Sequence, residues 1–221
     1  MADTSNTHYH IAFLRHGEST GNAEDRFQGQ SDFPLSRLGK AQAHALAKRW
    51  EEENVKFDCV VTSPLMRAAE TAQIIAATLG APVEQEPLWM ERHNGRFSGL
   101  RHVEIRERFP VIDNWGLYQN FAETGEGDWA LYLRAGQALH VLMRKPPGRY
   151  LVVSHGGTLN QAMYALMGIA PHPRFHGARF RFDNTGFALT SYDPSSHTWR
   201  ILCLNDHAHI KNVNVDEVTD I

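Results

Sequence analysis

The sequence has little of several features that would assign a protein to a class at once. Only two of its 221 residues are cysteines, which excludes a disulfide-stapled scaffold. Cys59 and Cys203 fall in apolar runs typical of buried, reduced thiols. Glycine and proline number 17 and 10, so collagen and low-complexity disorder are excluded. The formal net charge is −3, and without a basic excess we expect neither nucleic acid nor a membrane surface as a partner.

The chain also lacks a recognisable targeting segment, membrane span or nucleotide motif. Residues 1–7 have no basic stretch followed by an apolar one, so we expect no secretory signal and a cytoplasmic location. The longest run without Asp, Glu, Lys or Arg covers residues 150–173 and is long enough for a membrane helix. It contains Ser154, His155 and Asn160, however, and is typical of a buried strand followed by a helix. No P-loop pattern is present, so nucleotide-style phosphate binding with magnesium is not indicated.

What the sequence does have is an alternation of strand-like and helix-like segments. Hydrophobic periodicity predicts helices over 36–53, 63–80 and 156–167, with Ser36 and Ser63 as N-caps and Pro64 at a first helical position. The alternation predicts an α/β fold, a three-layer α/β/α sandwich with a mostly parallel central sheet. The last two of the predicted strands form a closing hairpin. The strands are expected at Tyr9–Leu14, Asp58–Thr62, Pro82–Glu86, Arg149–Val153, Thr185–Tyr192 and Thr198–Leu204.

One segment departs from this alternation. Residues 95–148 are expected to be mainly helical and are rich in aromatic residues, so we interpret them as a helical insertion, or cap, near the active site. We predict a single domain over residues 1–221, with residues 211–221 as a loosely held tail. The aromatic residues either wall a pocket or pack the insertion against the sheet; they are Trp115, Tyr118, Phe121, Trp129 and Tyr132.

Three of the predicted strands end in similar chemistry. Arg15 and His16 follow the first strand, Arg67 lies one turn into the helix after the second, and His155 follows a later one. In an open α/β sheet, ligands bind beyond the carboxyl ends of the strands. If these strands are parallel, the four side chains meet beside helix N-termini, which favour anions. Glycines at 17, 156 and 157 would let the backbone approach closely.

Two arginines and two histidines beside helix ends are suited to a compact dianion. A phosphoryl group carries roughly −1.5 to −2 charge at neutral pH, and arginine forks match its oxygens. A neutral imidazole has a lone pair and can act as a nucleophile. Each residue alone has an ordinary structural explanation, such as a capping or core histidine. The combination at three strand ends favours a site for phosphoryl transfer.

Several blocks in order resemble the histidine phosphatase superfamily, also called phosphoglycerate mutase-like. The similarity covers most of the chain. It begins with LRHGESTGN at 14–22 and continues with RFQG at 26–29 and DFPLS at 32–36. The later blocks are SPLMRAAETA at 63–72, Glu91 with Gly95 and Gly99, and VSHGG at 153–157.

The resemblance implies a role for each matching residue. His16 would attack phosphorus and become a phosphohistidine, and Glu91 would be the general acid that protonates the leaving alkoxide and then the base that activates water. No cofactor or metal is implied, and the partner would be a small-molecule phosphate ester. For Glu91 the structural alternative is a surface salt bridge with Arg92 or Arg96. The phosphate would be held by Arg15, Arg67, His155 and Gly156, completed by Asn22 and the backbone near Gln28 and Gly29.

The resemblance leaves two activities open. Residues 91–95, ERHNG, look like the mutase version of the acid-bearing block. The segment 101–115 lacks the adjacent arginine pair associated with mutase substrates, because Arg101, Arg106 and Arg108 are spread out. We therefore favour a phosphomonoesterase, with phosphoglycerate mutase as the alternative.

Two weaker hypotheses concern binding without catalysis. The chain could be an inactive phosphate-binding relative, which would be expected if a catalytic position were replaced, but every such position matches the resemblance. His207 and His209 could hold a metal, but no nearby ligand cluster is evident. The natural substrate and the choice between monomer and homodimer are not indicated by the sequence.

Overall fold

A computed structural model describes residues 7–109, 116–173 and 177–213 of the chain. Within them, six strands form one sheet in the order β3-β2-β4-β1-β5-β6. Helices flank this mostly parallel sheet, which confirms the predicted α/β class. The strands are β1 Tyr9–Arg15, β2 Cys59–Thr62, β3 Val83–Gln85, β4 Arg149–Ser154, β5 Phe187–Asp193 and β6 Thr198–Asp206.

The pairing of the strands determines where the site lies. β1 runs parallel to β4, which runs parallel to β2, and Arg15 is in register with Ser154 while Thr62 is in register with Val153. The carboxyl ends of these three strands therefore lie at one edge of the sheet. β5 and β6 are antiparallel additions beside β1 and form the predicted hairpin.

The helices form a layer on each face of the sheet. One hydrophobic core includes Leu46 and Ile75, from α2 and α3, with strand residues such as Val60. The other includes Leu139 and Leu159, from α5 and α6. The structure thus has the three predicted layers. The helices are α1 Thr20–Ala23, α2 Arg37–Glu52, α3 Met66–Leu79, α4 His102–Arg108, α5 Asp128–Met143 and α6 Gly156–Met167.

The predicted start of the helix after β2 is wrong. Ser36 caps α2 as expected, since its side chain accepts a hydrogen bond from the Gly39 N–H. α3, however, begins at Met66, and Ser63 with Pro64 precede it in non-helical backbone. The Ser63 hydroxyl contacts His155 instead, and the Met66 N–H donates to the Asp32 carboxylate at 2.7 Å. A tertiary contact replaces the local cap.

Part of the segment 95–148, the helix α5, belongs to the hydrophobic core beneath the sheet. α5 packs against α6, and Leu131, Ala135 and Leu142 of α5 are fully buried. Trp115, predicted to belong to the insertion, lies outside the described residues. So does most of the predicted tail, although Ala208–Asn212 form a short 3-10 helix that packs on α2.

None of the described helices combines the length and the apolar composition needed to cross a membrane.

A close backbone contact joins the end of β1 to the first turn of α2. A Cβ atom built on Gly17 would lie 2.6 Å from the Gly39 carbonyl oxygen, and a Cβ on Gly39 would overlap the Glu18 carbonyl. Both obstructing atoms belong to the backbone, which cannot move aside without shifting an element. These glycines allow the loop after β1 to lie directly on α2, and that contact places His16.

We expect Gly39→Ala to lower the free energy of unfolding by about 1–3 kcal/mol through this overlap, despite the better helix propensity of alanine. The matched control is Gly136→Ala in α5, where a Cβ meets no atom within 4 Å. That substitution should raise stability by about 0.5–1 kcal/mol. Urea unfolding of both variants measures the difference, and equal effects would contradict the packing argument.

Candidate active site

The structure brings the four predicted strand-end residues together. Arg15 ends β1, and the backbone N–H of His16 donates to the Ser154 carbonyl at 3.0 Å, which continues the β1–β4 pairing. His155 is the N-cap residue of α6. The imidazole rings of His16 and His155 lie 5.0 Å apart between centroids. Arg67 lies in the first turn of α3 and is 1% exposed.

His16 is held as a neutral imidazole with a defined tautomer. Its Nδ1 lies 2.7 Å from the Gly17 carbonyl oxygen, which can only accept, so Nδ1 carries the proton. Burial lowers the pKa of His16 well below its usual value, and the charges of Arg67 and Arg15 lower it further. The Nε2 atom therefore keeps its lone pair. This is the atom available for nucleophilic attack.

The two arginines are oriented by backbone carbonyls. Arg67 donates to the carbonyls of Gly29 at 2.7 Å and Ser31 at 3.0 Å. Arg15 donates to the Phe182 carbonyl at 2.8 Å. Burial lowers the pKa of both guanidinium groups, that of Arg67 to about 10, so both stay charged at neutral pH.

His155 completes a group of three buried donors. Its Nε2 lies 2.8 Å from the Ser63 hydroxyl oxygen, which already accepts from the Leu65 N–H at 3.3 Å. We assign the Ser63 hydroxyl as the donor to Nε2, which places the proton of the neutral ring on Nδ1. Burial and then the charge of Arg67 lower the pKa of His155. Within the described residues, His155 Nδ1 and the Nε atoms of Arg15 and Arg67 have no hydrogen-bond partner.

Buried donors without acceptors are rare in native proteins, because each costs about 1–3 kcal/mol. Three of them on residues that line the His16 cavity or pack against His16 are suited to the oxygens of a tetrahedral oxyanion. The arrangement thus fits the chemistry that the resemblance implies.

Glu91 lies at the N-terminus of α6. Its carboxylate accepts hydrogen bonds from the backbone N–H groups of Gly157 at 3.1 Å and Thr158 at 3.2 Å. A surface salt bridge with either neighbouring arginine is not observed, because Arg92 pairs with Asp128 and Arg96 with Glu123. The helix end fixes the carboxylate beside the histidines.

A cavity of about 330 Å³ opens over these groups. His155 is fully buried behind its surface. The cavity is lined by Arg15, His16, Asn22, Arg26, Phe27, Gln28, Gly29, Arg67, Glu91, Arg92, Asn94, Phe121, Gly156 and Gly157.

Comparison with known proteins agrees with this geometry. Residues 11–207 match the Histidine phosphatase superfamily (branch 1). The chain belongs to this superfamily. Two bacterial relatives described as "Probable phosphoglycerate mutase GpmB" come from Yersinia enterocolitica, 31% identical over 218 residues, and Photorhabdus laumondii, 32% identical over 217. In both cases the similarity covers 94% of this chain and 98% of the relative.

Solved structures of this histidine phosphatase fold include proteins named as phosphatases. Bacillus stearothermophilus YhfR has a TM-score of 0.80 and 29% identity, over 92% of this chain and 100% of that one. A mycobacterial glucosyl-3-phosphoglycerate phosphatase in complex with VO3 has a TM-score of 0.76 and 25% identity, over 89% and 98%. The chain thus resembles proteins named for both activities that the sequence left open.

The remaining predicted residues of the site also reach the cavity. Asn22, Gln28, Gly29 and Gly156 all line it. Asn22 and Gln28 are both hydrogen-bonded to Ser19, whose hydroxyl donates to Gln28 Oε1 at 2.7 Å. The Gly29 carbonyl faces Arg67, so this residue orients the arginine, and its positive φ of 54° suits glycine.

Two residues that the sequence does not indicate, Arg134 and Asn184, support the site through hydrogen bonds to its backbone. Arg134 of α5 donates to the carbonyls of Leu88, Met90 and Glu91 at 2.6–3.2 Å. Asn184 donates to the His16 carbonyl at 3.0 Å. Both are far from the motifs along the chain, and the contacts they make have no local sequence signal.

The expectation that aromatic residues of 95–148 wall the cavity holds for Phe121 among the described residues. Phe121 stacks on Phe27, which sequence analysis also missed, with centroids 5.7 Å apart. Trp129 of α5 contacts Tyr132 on the same helix and Tyr118 from the turn before it, which makes a separate aromatic row. Tyr118 is 77% exposed.

The side chains of His207 and His209 are hydrogen-bonded to groups of the protein. His209 Nε2 is bonded to Thr185 and His207 Nδ1 lies 2.7 Å from the Asn205 carbonyl. In the part of the chain that the structure describes, no group of three His, Cys, Asp or Glu residues could hold a metal ion.

The lowered pKa values of His16 and His155 predict a loss of stability in acid. As pH falls below about 6.5, the unfolded chain binds protons that the folded protein excludes. The free energy of unfolding should fall by up to about 1.4 kcal/mol per pH unit for each histidine. Above about pH 6.5 both histidines are neutral in the folded and unfolded states, so their effect on the free energy of unfolding no longer changes with pH.

Urea titrations between pH 4 and 8 measure the slope, which His16→Asn should reduce. His140→Asn, at an exposed position of α5, is the control and should keep the wild-type slope. A slope that His16→Asn leaves unchanged would contradict a buried, neutral His16.

Proposed function

We propose that the protein is a phosphomonoesterase that hydrolyses a small organic phosphate through a phosphohistidine on His16. The observation that carries this proposal is a set of three buried donors without partners in the described parts of the chain, Arg15 Nε, Arg67 Nε and His155 Nδ1. The two arginines line the cavity together with His16, and His155 packs against the His16 ring. They match the charge and shape of a transferring phosphoryl group. The mycobacterial phosphatase solved with VO3, also an oxyanion, supports the same use of the fold.

The first step forms a bond between His16 Nε2 and phosphorus and breaks the bond from phosphorus to the ester oxygen. Arg15, Arg67 and His155 bind the phosphoryl oxygens, and the charge of the arginines offsets the charge of the transition state. An alkoxide is a poor leaving group, so Glu91 reacts in its carboxylic acid form and delivers its proton to the ester oxygen as the bond breaks.

The second step returns the enzyme to its starting state. Glu91, now a carboxylate, takes a proton from a water molecule as that oxygen attacks phosphorus. The P–N bond breaks, the electron pair returns to His16 Nε2, and inorganic phosphate leaves. The groups for both steps come from this chain's own side chains.

We expect His16→Ala to lower phosphate release by at least about 10³-fold, because the covalent route is lost. His44→Ala, at an exposed position on α2, is the matched control and should keep wild-type activity. Rapid quenching with a ³²P-labelled ester should trap acid-labile, base-stable phosphate on wild-type protein only. Near-normal activity in His16→Ala, or no turnover by the wild type of any ester in a broad panel, would contradict the proposal.

A general-acid role for Glu91 predicts an effect that depends on the leaving group. Glu91→Gln should slow release of an alkyl alcohol by about 10²–10⁴-fold. Release of 4-nitrophenolate, which needs no proton, should slow much less. Pre-steady-state alcohol release isolates this step from hydrolysis of the phosphohistidine. Glu107→Gln, at an exposed position of α4, is the control, and an equal loss for both esters would refute the role.

Phosphoglycerate mutase is the second candidate, because the curated relatives at 31% and 32% identity carry that name. A mutase would use the same phosphohistidine but return the phosphoryl group to its substrate. It should interconvert 2- and 3-phosphoglycerate with no net phosphate release. A coupled enolase assay run beside a phosphate assay separates the two.

A further inference from the structure

The outer part of the cavity, beyond the phosphate-binding groups, contains two arginines that are both engaged by carboxylates of the protein. Arg26 Nε lies 2.6 Å from Glu24 Oε2, and Arg26 also donates to the Gly99 carbonyl at 2.8 Å. Arg92 is bonded to Asp128. An incoming anionic substrate would therefore meet each of these arginines already paired with a carboxylate of the protein.

The pair of Arg92 and Asp128 is the stronger of the two engagements. The Arg92 and Asp128 side chains are 5% and 0% exposed, whereas the Arg26–Glu24 pair lies at the surface, where water and salt screen it. Arg92 also lies 5.2 Å from the centre of the Phe121 ring. Asp128 is the first residue of α5, where the helix N-terminus stabilises a carboxylate.

The apolar part of the outer wall is aromatic, and Asn94 lies beside it in the cavity lining. Phe27 and Phe121 stack with an interplanar angle of 11°, and both line the cavity. An apolar leaving group can pack on these rings. A carboxylate placed near Arg92 would lie close to Asp128, which binds the Nη2 atom of the guanidinium, offsets its charge and repels a second anion.

We propose that Asp128 determines substrate specificity: by holding Arg92, it restricts the outer cavity to phosphate monoesters whose alcohol is apolar and carries no carboxylate. Asp128 itself acts through Arg92 and is a positioning residue. This inference rests on the proposed phosphatase function, since it concerns the leaving group of the same reaction.

The test compares phenyl phosphate with 4-carboxyphenyl phosphate, two esters that differ by one carboxylate. The measured quantity is the ratio of kcat/KM for the carboxylated ester to that for the plain ester. Intrinsic reactivity cancels when this ratio is compared between variants. If wild type hydrolyses neither ester nor any other phosphomonoester, the proposed function fails; if hydrolysis occurs, the variants decide the role of Asp128 separately.

Asp128→Asn should raise the ratio about tenfold, because Arg92 then has a charge to share with the substrate carboxylate. The gain should be in KM for the carboxylated ester, with kcat for phenyl phosphate nearly unchanged, a split that general loss of structure would not produce. Glu123→Gln is the matched control: it removes the carboxylate that pairs with Arg96 at 2.7 Å, outside the cavity lining, and should leave the ratio at the wild-type value.

The double variant Arg92→Met/Asp128→Asn removes both charges and avoids an unpaired buried ion, so it keeps the proposal testable if Asp128→Asn does not fold. Its ratio should stay within about threefold of wild type, because in the wild type Arg92 does not serve the substrate. A tenfold fall in this ratio would overturn the proposal by showing that Arg92 binds substrate carboxylates. An unchanged ratio in folded Asp128→Asn would overturn it as well.

Discussion

The site depends on two guanidinium groups that are buried at the end of a sheet and held by carbonyl oxygens. Arg67 and Arg15 donate to the carbonyls of Gly29, Ser31 and Phe182. A carbonyl orients a guanidinium group but does not neutralise its charge. Burying a charge in this way costs free energy, and the lowered pKa values of both arginines express that cost. Nearby carboxylates, Glu91 first among them, offset part of this charge. An oxyanion bound between the arginines would offset more of it, so part of its binding free energy comes from relieving the cost of burying the arginines.

The same buried charge prepares the nucleophile. The charges of Arg67 and Arg15 reinforce the effect of burial in keeping His16 neutral, and the Gly17 carbonyl determines which ring nitrogen carries the proton. The lone pair on Nε2 then faces phosphorus in a substrate whose oxygens the arginines hold. One electrostatic arrangement thus provides both the binding of the phosphoryl group and the activation of the group that attacks it.

The parts of this site that the sequence predicts are those whose position follows from local structure. Arg15 ends a strand, and His16 and His155 directly follow strands. Parallel strands bring their carboxyl ends together whatever the conformation of the loops. The cap of α3 was mispredicted because Asp32, which lies more than thirty residues earlier, supplies it. Arg134 and Asp128 act through a helix whose place in the layer depends on packing. No spacing rule within the chain indicates either contact.

The contrast between strand-end residues and residues placed by packing also explains why similarity to known proteins does not decide between phosphatase and mutase. Both activities need the same phosphohistidine and the same anion-binding groups, and these lie on the strand ends that the whole superfamily shares. The difference concerns the rest of the substrate, and that part meets Phe27, Phe121 and Arg92. These side chains come from loops, and the charge available at Arg92 depends on Asp128, from the start of α5. An aspartate at this one helix position can redirect the specificity of the cavity while the sheet, the strand ends and the family match stay the same.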